Sequence, residues 1–169
     1  MGSTPPAGTA PLTASVTLRP ITAETVVAVC SLAVHPHQER FVAPNAVSLA
    51  QALFAPTAWY RAIYADETLV GFVMVDDDVT KQEYFLWRFM IAGEHQRLGF
   101  GRRALELVVE YVQTRPGAAE LLVSYVPGEG SPRGFYATFG FVETGEVDDG
   151  ERVMRLPLQP AMTPPHPIS

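Results

Sequence analysis

The chain has 169 residues, of which 47% are hydrophobic, so its size and composition suit one globular domain with a sizeable core. Its net charge of -6 argues against a non-specific grip on nucleic acid and favours cationic partners such as amines. Its one cysteine, Cys30, excludes an internal disulfide and a cysteine-based zinc site, and it is typical of a reducing compartment.

Both ends of the chain differ in composition from the middle. Residues 1–14 and 159–169 are rich in proline, which can neither continue a helix nor donate to a sheet ladder. We therefore predict a flexible tail at each end of a single domain that spans residues 15–158. The sequence lacks a signal peptide and an apolar run of about eighteen residues, so we expect a cytoplasmic protein that does not bind membranes. The spacing of the four histidines does not suit a metal site, and we expect none.

The first half of the domain predicts one strand, two helices and a hairpin. An alternating segment from Ser15 predicts the strand, and the segments that begin at Thr22 and Asn45 predict the helices. Two apolar runs then flank Asp66 and Glu67, which is the pattern of a hairpin although its turn lacks glycine.

The second half alternates strands and helices. Residues 83–92 are apolar at nearly every position and predict a strand buried on both faces. A helical period runs from Gly101 to the breaker at residues 115–118, and a strand at 120–126, a short helix at 131–139 and an antiparallel pair follow. The order β, α, α, β, β, β, α, β, α, β, β predicts an α/β or α+β fold with helices on the faces of a mixed sheet.

The segment EHQRLGFGRRAL at residues 94–105 joins the buried strand to the long helix. Glycine lets a ligand approach the main chain closely, and two glycines, Gly99 and Gly101, lie at the start of this helix. The first N–H groups of a helix lack internal partners and carry partial positive charge. Together these features predict a phosphate-binding site.

Other interpretations of the two glycines are open at this point. Gly99-x-Gly101-x-x-Ala104 satisfies a relaxed dinucleotide-binding fingerprint, but residues 93–98 separate it from the preceding strand. The acid that this fingerprint needs should end the next strand, whereas Glu120 begins it. A Walker loop would need a Gly-Lys-Ser/Thr sequence that is absent here, and a plain connecting loop needs no ligand at all.

Two motifs in the correct order resemble the GNAT family of acetyl-CoA-dependent N-acetyltransferases. QRLGFG at residues 96–101 matches the family signature Gln/Arg-x-x-Gly-x-Gly/Ala, and FYATFGF at 135–141 resembles its terminal LYxxxGF segment. Residues 39–52, 85–91 and 124–131 resemble the spermine/spermidine or diamine branch. The resemblance implies a mixed, mostly antiparallel twisted sheet of six to seven strands with helices on both faces. It also implies acetyl-CoA as cofactor and suggests a homodimer.

The resemblance further implies how the cofactor is held. The main chain of residues 98–103 would wrap the pyrophosphate, the neighbouring arginines would add charge-assisted contacts, and residues 90–92 would pair with the pantetheine arm. The family often has an asparagine where this chain has Gly130, so Ser131 is the substitute. The implied cofactor residues are Met90, Ile91, Ala92, Gln96, Arg97, Leu98, Gly99, Phe100, Gly101, Arg102, Arg103, Ser131 and Tyr136.

Acetylation of an amine requires a base and an acid. An alkyl amine with a pKa of ~10.4 is almost fully protonated at neutral pH, and a carboxylate acting through water can remove the proton. Some family members carry a glutamate where this chain has Phe85, so Glu83 and Glu129 are the candidate bases. Tyr136 matches the family's general acid, and the alternative for Tyr136 is an aromatic residue of the core.

The acceptor is expected to be a small-molecule primary amine, and a polyamine such as spermine or spermidine is favoured. Glu39, Trp87 and Tyr125 are candidate acceptor-binding residues because acids and aromatic rings attract ammonium groups. The acidic run at residues 76–78 is either a solvated turn or an acidic rim. Alternatives are an aminoglycoside, an amino-acid-like metabolite or a protein N-terminus as acceptor, or a non-catalytic acyl-CoA-binding module.

Overall fold

The computed structural model describes residues 13–159, so the two predicted tails fall almost wholly outside the described residues. Within this range no helix is long and apolar enough to cross a membrane. The strands are β1 (Val16–Arg19), β2 (Ala58–Ala65), β3 (Thr68–Asp78), β4 (Glu83–Ile91), β5 (Glu120–Tyr125), β6 (Val142–Asp148) and β7 (Glu151–Pro157). The α-helices are α1 (Val26–Ser31), α2 (Asn45–Ala52), α3 (Phe100–Gln113) and α4 (Arg133–Phe139). Two 3₁₀ helices cover Pro36–Phe41 and Gly93–His95.

The strands form one seven-stranded sheet in the order β1-β2-β3-β4-β5-β7-β6. Neighbouring strands are antiparallel except for the central pair of β4 and β5, which α3 connects as a parallel crossover. The predicted order of elements and the mixed, mostly antiparallel sheet are therefore confirmed.

Helices cover both faces of the sheet. On one face α3 buries Leu105, Val108 and Val112 against the sheet, as its helical period predicted. On the other face Val29 of α1 packs in a second cluster with Phe72 of β3. Alternate side chains of a strand point to opposite faces, so the buried residues of β3 contribute to both clusters.

The acidic run at residues 76–78 has a structural role at the end of β3. Asp77 is nearly buried and accepts hydrogen bonds from the hydroxyl of Tyr111 at 2.5 Å and from Nε of Arg115 at 3.0 Å. Burial, together with this bond to Asp77, raises the pKa of Tyr111 to about 12. Because Tyr111 and Arg115 lie at the end of α3, Asp77 fastens that end to the sheet.

Two irregularities of β4 shape the region beside it. The register with β3 skips Trp87, because Met74 lies opposite Arg88 and Val75 opposite Leu86. This β-bulge shifts the alternation, so Arg88 and Met90 lie on the face of α1 and α2.

The second irregularity is the short pairing of β4 with β5. Only Phe85 with Leu122 and Leu86 with Val123 are paired, although both strands continue beyond these residues. Along its other edge, β5 pairs with β7 over its whole length. The two central strands therefore separate, and a cleft opens between them.

Candidate active site

A cavity of about 770 Å³ occupies the cleft between the separated strands. Its wall combines residues of β4 and β5, the 3₁₀ helix Pro36–Phe41, the loop before α3, and α4. Only the folded sheet brings these segments together, since they are distant in sequence.

One end of the cavity is a cradle of main-chain amides at the start of α3. Gly99 precedes the helix with φ of 86°, the left-handed conformation that favours glycine. The N–H groups of Phe100, Gly101 and Arg102 have no main-chain partner within residues 13–159, whereas Arg103 donates to Gly99. Arg97 also lines the cavity and forms no ion pair with the described residues. Unpaired amides, a helix start and a free guanidinium suit an anionic phosphate.

The predicted cofactor residues differ in whether they line the cavity. Those that line the cavity are Met90, Ile91, Gln96, Arg97, Gly99, Gly101, Arg102, Ser131 and Tyr136. The side chains of Leu98 and Phe100 pack against the core instead, and Arg103 pairs with Glu106 and Glu110 on the outer face of α3. These three residues can contribute only main-chain atoms to the cradle.

The main chain of residues 90–92 offers fewer free groups for the pantetheine arm than the sequence analysis expects. Ala92 is not available, because its N–H donates to Val70 at 2.8 Å and its carbonyl accepts from His95 at 2.8 Å. The carbonyl of Met90 points toward β3, where a Cβ on Gly71 would clash with it. Successive residues of a strand direct their N–H and C=O groups to opposite sides, so the main-chain groups of Ile91 face the cleft.

The side-chain amide of Gln96 connects the loop before α3 to β4 and to the 3₁₀ helix Pro36–Phe41. Its Nε2 donates to the carbonyl of Ile91 at 2.9 Å and to Oε1 of Gln38 at 2.8 Å, and Gln38 returns a bond to Gln96 at 3.0 Å. Gln38 belongs to the 3₁₀ helix Pro36–Phe41, which carries Glu39. The Gln96 side chain thus ties the phosphate loop to this helix and is fully occupied in doing so.

Tyr136 lies on α4 between two aromatic rings. Its ring meets those of Phe135 and Phe141 edge to face at 5.4 Å, and the residue is only 5% exposed. Tyr136 nevertheless lines the cavity. Burial raises the pKa of its hydroxyl, so the hydroxyl keeps its proton at neutral pH.

Neither predicted base lines the cavity, whereas Glu151, which the sequence analysis did not select, does. Glu83 starts β4 on the far side of the paired residues, opposite Asp78, and is exposed outside the cavity. Glu129 is exposed in the loop after β5, where its carbonyl accepts a bond from Arg40 at 2.7 Å. Glu151 at the start of β7 lines the cavity and accepts a short hydrogen bond from Ser124.

The rest of the cavity wall mixes both signs of charge. Glu39 and Trp87 line it as expected from their predicted acceptor roles. Tyr125 does not, because it is buried in the core and its hydroxyl donates to Glu143 at 2.6 Å. Two arginines that the sequence gave no reason to select, Arg40 and Arg88, also lie in this wall.

Comparison with known proteins agrees with this geometry. The model of the acetyltransferase (GNAT) family matches residues 37–141, which is more than half of the chain. The chain belongs to the GNAT family. Like its family, it is an acetyl-CoA-dependent N-acetyltransferase, and the cradle at α3 suits the diphosphate of that cofactor.

Curated and structural relatives of this GNAT chain have different acceptors in their names. The spermine/spermidine N(1)-acetyltransferase of Bacillus subtilis (strain 168) is 26% identical over 149 residues, which cover 83% of this chain and 97% of the relative. PaiA N-acetyltransferase from Thermoplasma acidophilum, solved with coenzyme A, has a TM-score of 0.62 at 15% identity, with 85% of this chain and 99% of that one covered. The ribosomal-protein-S18-alanine N-acetyltransferase from Escherichia coli has a TM-score of 0.64 at 18% identity and 92% and 100% coverage.

The cradle can be tested by filling it. A Cβ on Gly101 would touch the cavity residues Ile91 and Phe135 at 3.5 and 3.6 Å, so Gly101→Leu should fold and project into the cavity. We expect the Kd for coenzyme A, measured by calorimetry, to rise at least about tenfold, a loss of about 1.4 kcal/mol. Gly134→Leu, at a helical glycine with open space around it, is the matched control. Equal affinities for the two variants would contradict the cradle.

Proposed function

We propose that this chain transfers the acetyl group directly to a primary amine of a small molecule while both substrates are bound. The observation that carries this proposal is the single cleft that the unpaired ends of β4 and β5 open. Free amides at the start of α3 lie at one end of it, and a protonated tyrosine and a carboxylate also line its wall.

Acetyl-CoA supplies an activated acetyl thioester when it is bound. Glu151 would remove a proton from the acceptor ammonium, directly or through water, because only a neutral amine has a lone pair for attack. The hydroxyl of Tyr136 would donate a proton to the departing sulfur, and its raised pKa keeps that proton in place until it is needed. Cys30 lies on α1 outside the cavity, so a covalent acetyl-cysteine has no structural support.

Two acceptor classes are compatible with this reaction. The relatives named for spermine and spermidine support a polyamine, and Glu39 and Glu151 offer two acids for its ammonium groups. An amino-acid-like amine is supported by a different observation, the arginine Arg88 in the same wall. A cytoplasmic location and a homodimer, which the sequence analysis expects, stay predictions.

A panel of amines tests the proposed reaction. With acetyl-CoA present, we expect thiol release with small primary amines, and kcat/KM should rise with pH toward the amine pKa of about 10.4. Faster turnover of spermidine or spermine than of monoamines would support the polyamine class, and no such preference would reject it. Coenzyme A binding without turnover of any amine, including aminoglycosides and peptide N-termini, would instead indicate a non-catalytic acyl-CoA-binding module.

The acid role of Tyr136 is tested by Tyr136→Phe, which retains the ring between its aromatic neighbours. We expect kcat to fall about 10²- to 10⁴-fold because the proton donor is lost, while calorimetric binding of coenzyme A stays near the wild-type value. Tyr125→Phe removes a hydroxyl that bonds to Glu143 outside the cavity, and it should leave kcat unchanged. An unaltered kcat in Tyr136→Phe would show that the residue only packs the core.

The base role of Glu151 is tested against Glu83, one of the two candidate bases that the sequence analysis named. Glu151→Gln should lower kcat/KM about 100-fold near neutral pH, and the deficit should shrink as the pH rises because more of the free amine is already neutral. Glu83→Gln, at the start of β4 and outside the cavity, should behave like the wild type. The pH–rate profiles of the two variants are the measurement, and a defect confined to Glu83→Gln would reverse the assignment.

A further inference from the structure

Arg88 is an arginine of the cavity wall whose hydrogen-bonding capacity is unfilled. Its Nη1 donates to the carbonyl of Trp87 at 2.8 Å, and its Nη2 donates to Oε1 of Gln51 at 3.2 Å. Its Nε is buried and has no partner within residues 13–159. A guanidinium carries five N–H donors in a planar fork, so Arg88 retains donors for a ligand.

Arg88 also lacks a carboxylate partner within the described part of the chain. Six other arginines there form ion pairs with carboxylates: Arg19, Arg102, Arg103, Arg115, Arg133 and Arg155. Burial lowers the pKa of Arg88, and the charge of Glu151 opposes that shift. No described carboxylate contacts this half-buried cation, and burying a charge without a contacting partner is costly, so an anionic ligand would be stabilised beside it.

The position of Arg88 along β4 places it near the site of acetyl transfer. The phosphate cradle lies at the start of α3, and Ile91 at the end of β4 comes next along the cavity. Arg88 lies three residues further into the cleft, which is about 10 Å along a strand. The β-bulge at Trp87 turns Arg88 to the side of α2, where Gln51 holds its outer nitrogen.

We propose that Arg88 binds a carboxylate on the acceptor, so that the acceptor is a small primary amine that also carries an acidic group. The planar guanidinium fork matches a carboxylate, and Glu151 in the same wall is left to receive the ammonium group. A polyamine carries only positive charges and would bring one of them close to Arg88. This assignment rests on the proposed acetyl transfer. Of the two compatible acceptor classes, it selects the amino-acid-like amine over the polyamine.

Pairs of amines that differ by one carboxylate test the assignment. Lysine is cadaverine with an added carboxylate, and ornithine stands in the same relation to putrescine, while lysine methyl ester keeps the size and removes the charge. We expect kcat/KM for lysine and ornithine to exceed that for their decarboxylated partners by at least about tenfold, the scale of one charge-assisted hydrogen bond. The methyl ester should behave like cadaverine.

Substitution of the arginine should abolish that preference. Arg88→Met keeps an unbranched stem and removes the donors, so the lysine-to-cadaverine ratio of kcat/KM should fall about tenfold to a hundredfold while the KM for acetyl-CoA is unchanged. Arg61→Met is the matched control, because Arg61 donates to the carbonyl of its preceding residue and lies over Trp59 outside the cavity. Arg88→Lys, which keeps the charge, gives a second variant if Arg88→Met does not fold, and it should retain part of the preference.

A binding measurement separates this inference from the proposed reaction. With coenzyme A present, acetylated lysine should bind more tightly than acetylated cadaverine in the wild type and equally in Arg88→Met, as measured by calorimetry. The inference is overturned if the wild type prefers cadaverine or spermidine to lysine. It is also overturned if Arg88→Met and Arg61→Met have the same lysine-to-cadaverine ratio. Failure of every amine to react would defeat the proposed function alone, since the calorimetric difference would still report on Arg88.

Discussion

The separation of β4 from β5 is the constraint on which the rest of the site depends. The pairing ends at Leu86 and Val123, and within residues 13–159 no other strand pairs with the edge of β4 that this leaves free. Main-chain groups left unpaired in a buried region need partners. The side chain of Gln96 supplies one of them, at the carbonyl of Ile91. The cleft between the strands holds the cavity, so the break in the sheet brings the residues that line it together.

Charge is distributed unevenly along this cleft. The end near α3 is positive, with unpaired helix amides and Arg97, and it suits the diphosphate of acetyl-CoA. The rest of the cavity wall carries two acids, Glu39 and Glu151, and two arginines, Arg40 and Arg88, so its charges balance. The reciprocal amide pair of Gln38 and Gln96 joins the two regions mechanically. The loop at the start of α3 is therefore in direct contact with the 3₁₀ helix that carries Glu39.

Sequence reasoning predicted the fold and the cofactor end of the site better than the acceptor end. The element order, the start of α3 and the cavity position of Tyr136 follow from local motifs. Glu151 and Arg88 carried no such motif. Glu151 reaches the cleft only because β7 pairs with β5, and Arg88 faces α2 only because of the bulge at Trp87. Glu83, although it lies on the cleft strand, precedes the separation of the strands.

The sequence by itself determined what depends on neighbouring residues: the left-handed turn at Gly99, the apolar face of α3 and the alternation of the strands. The tertiary structure alone decided that Glu151 and Arg88 share the cavity with Tyr136. The physical reason is the sequence separation over which each interaction acts. Backbone conformation and helix-end charge arise within a few residues, whereas the acceptor wall is assembled by strand pairing and a register shift between segments far apart in the chain.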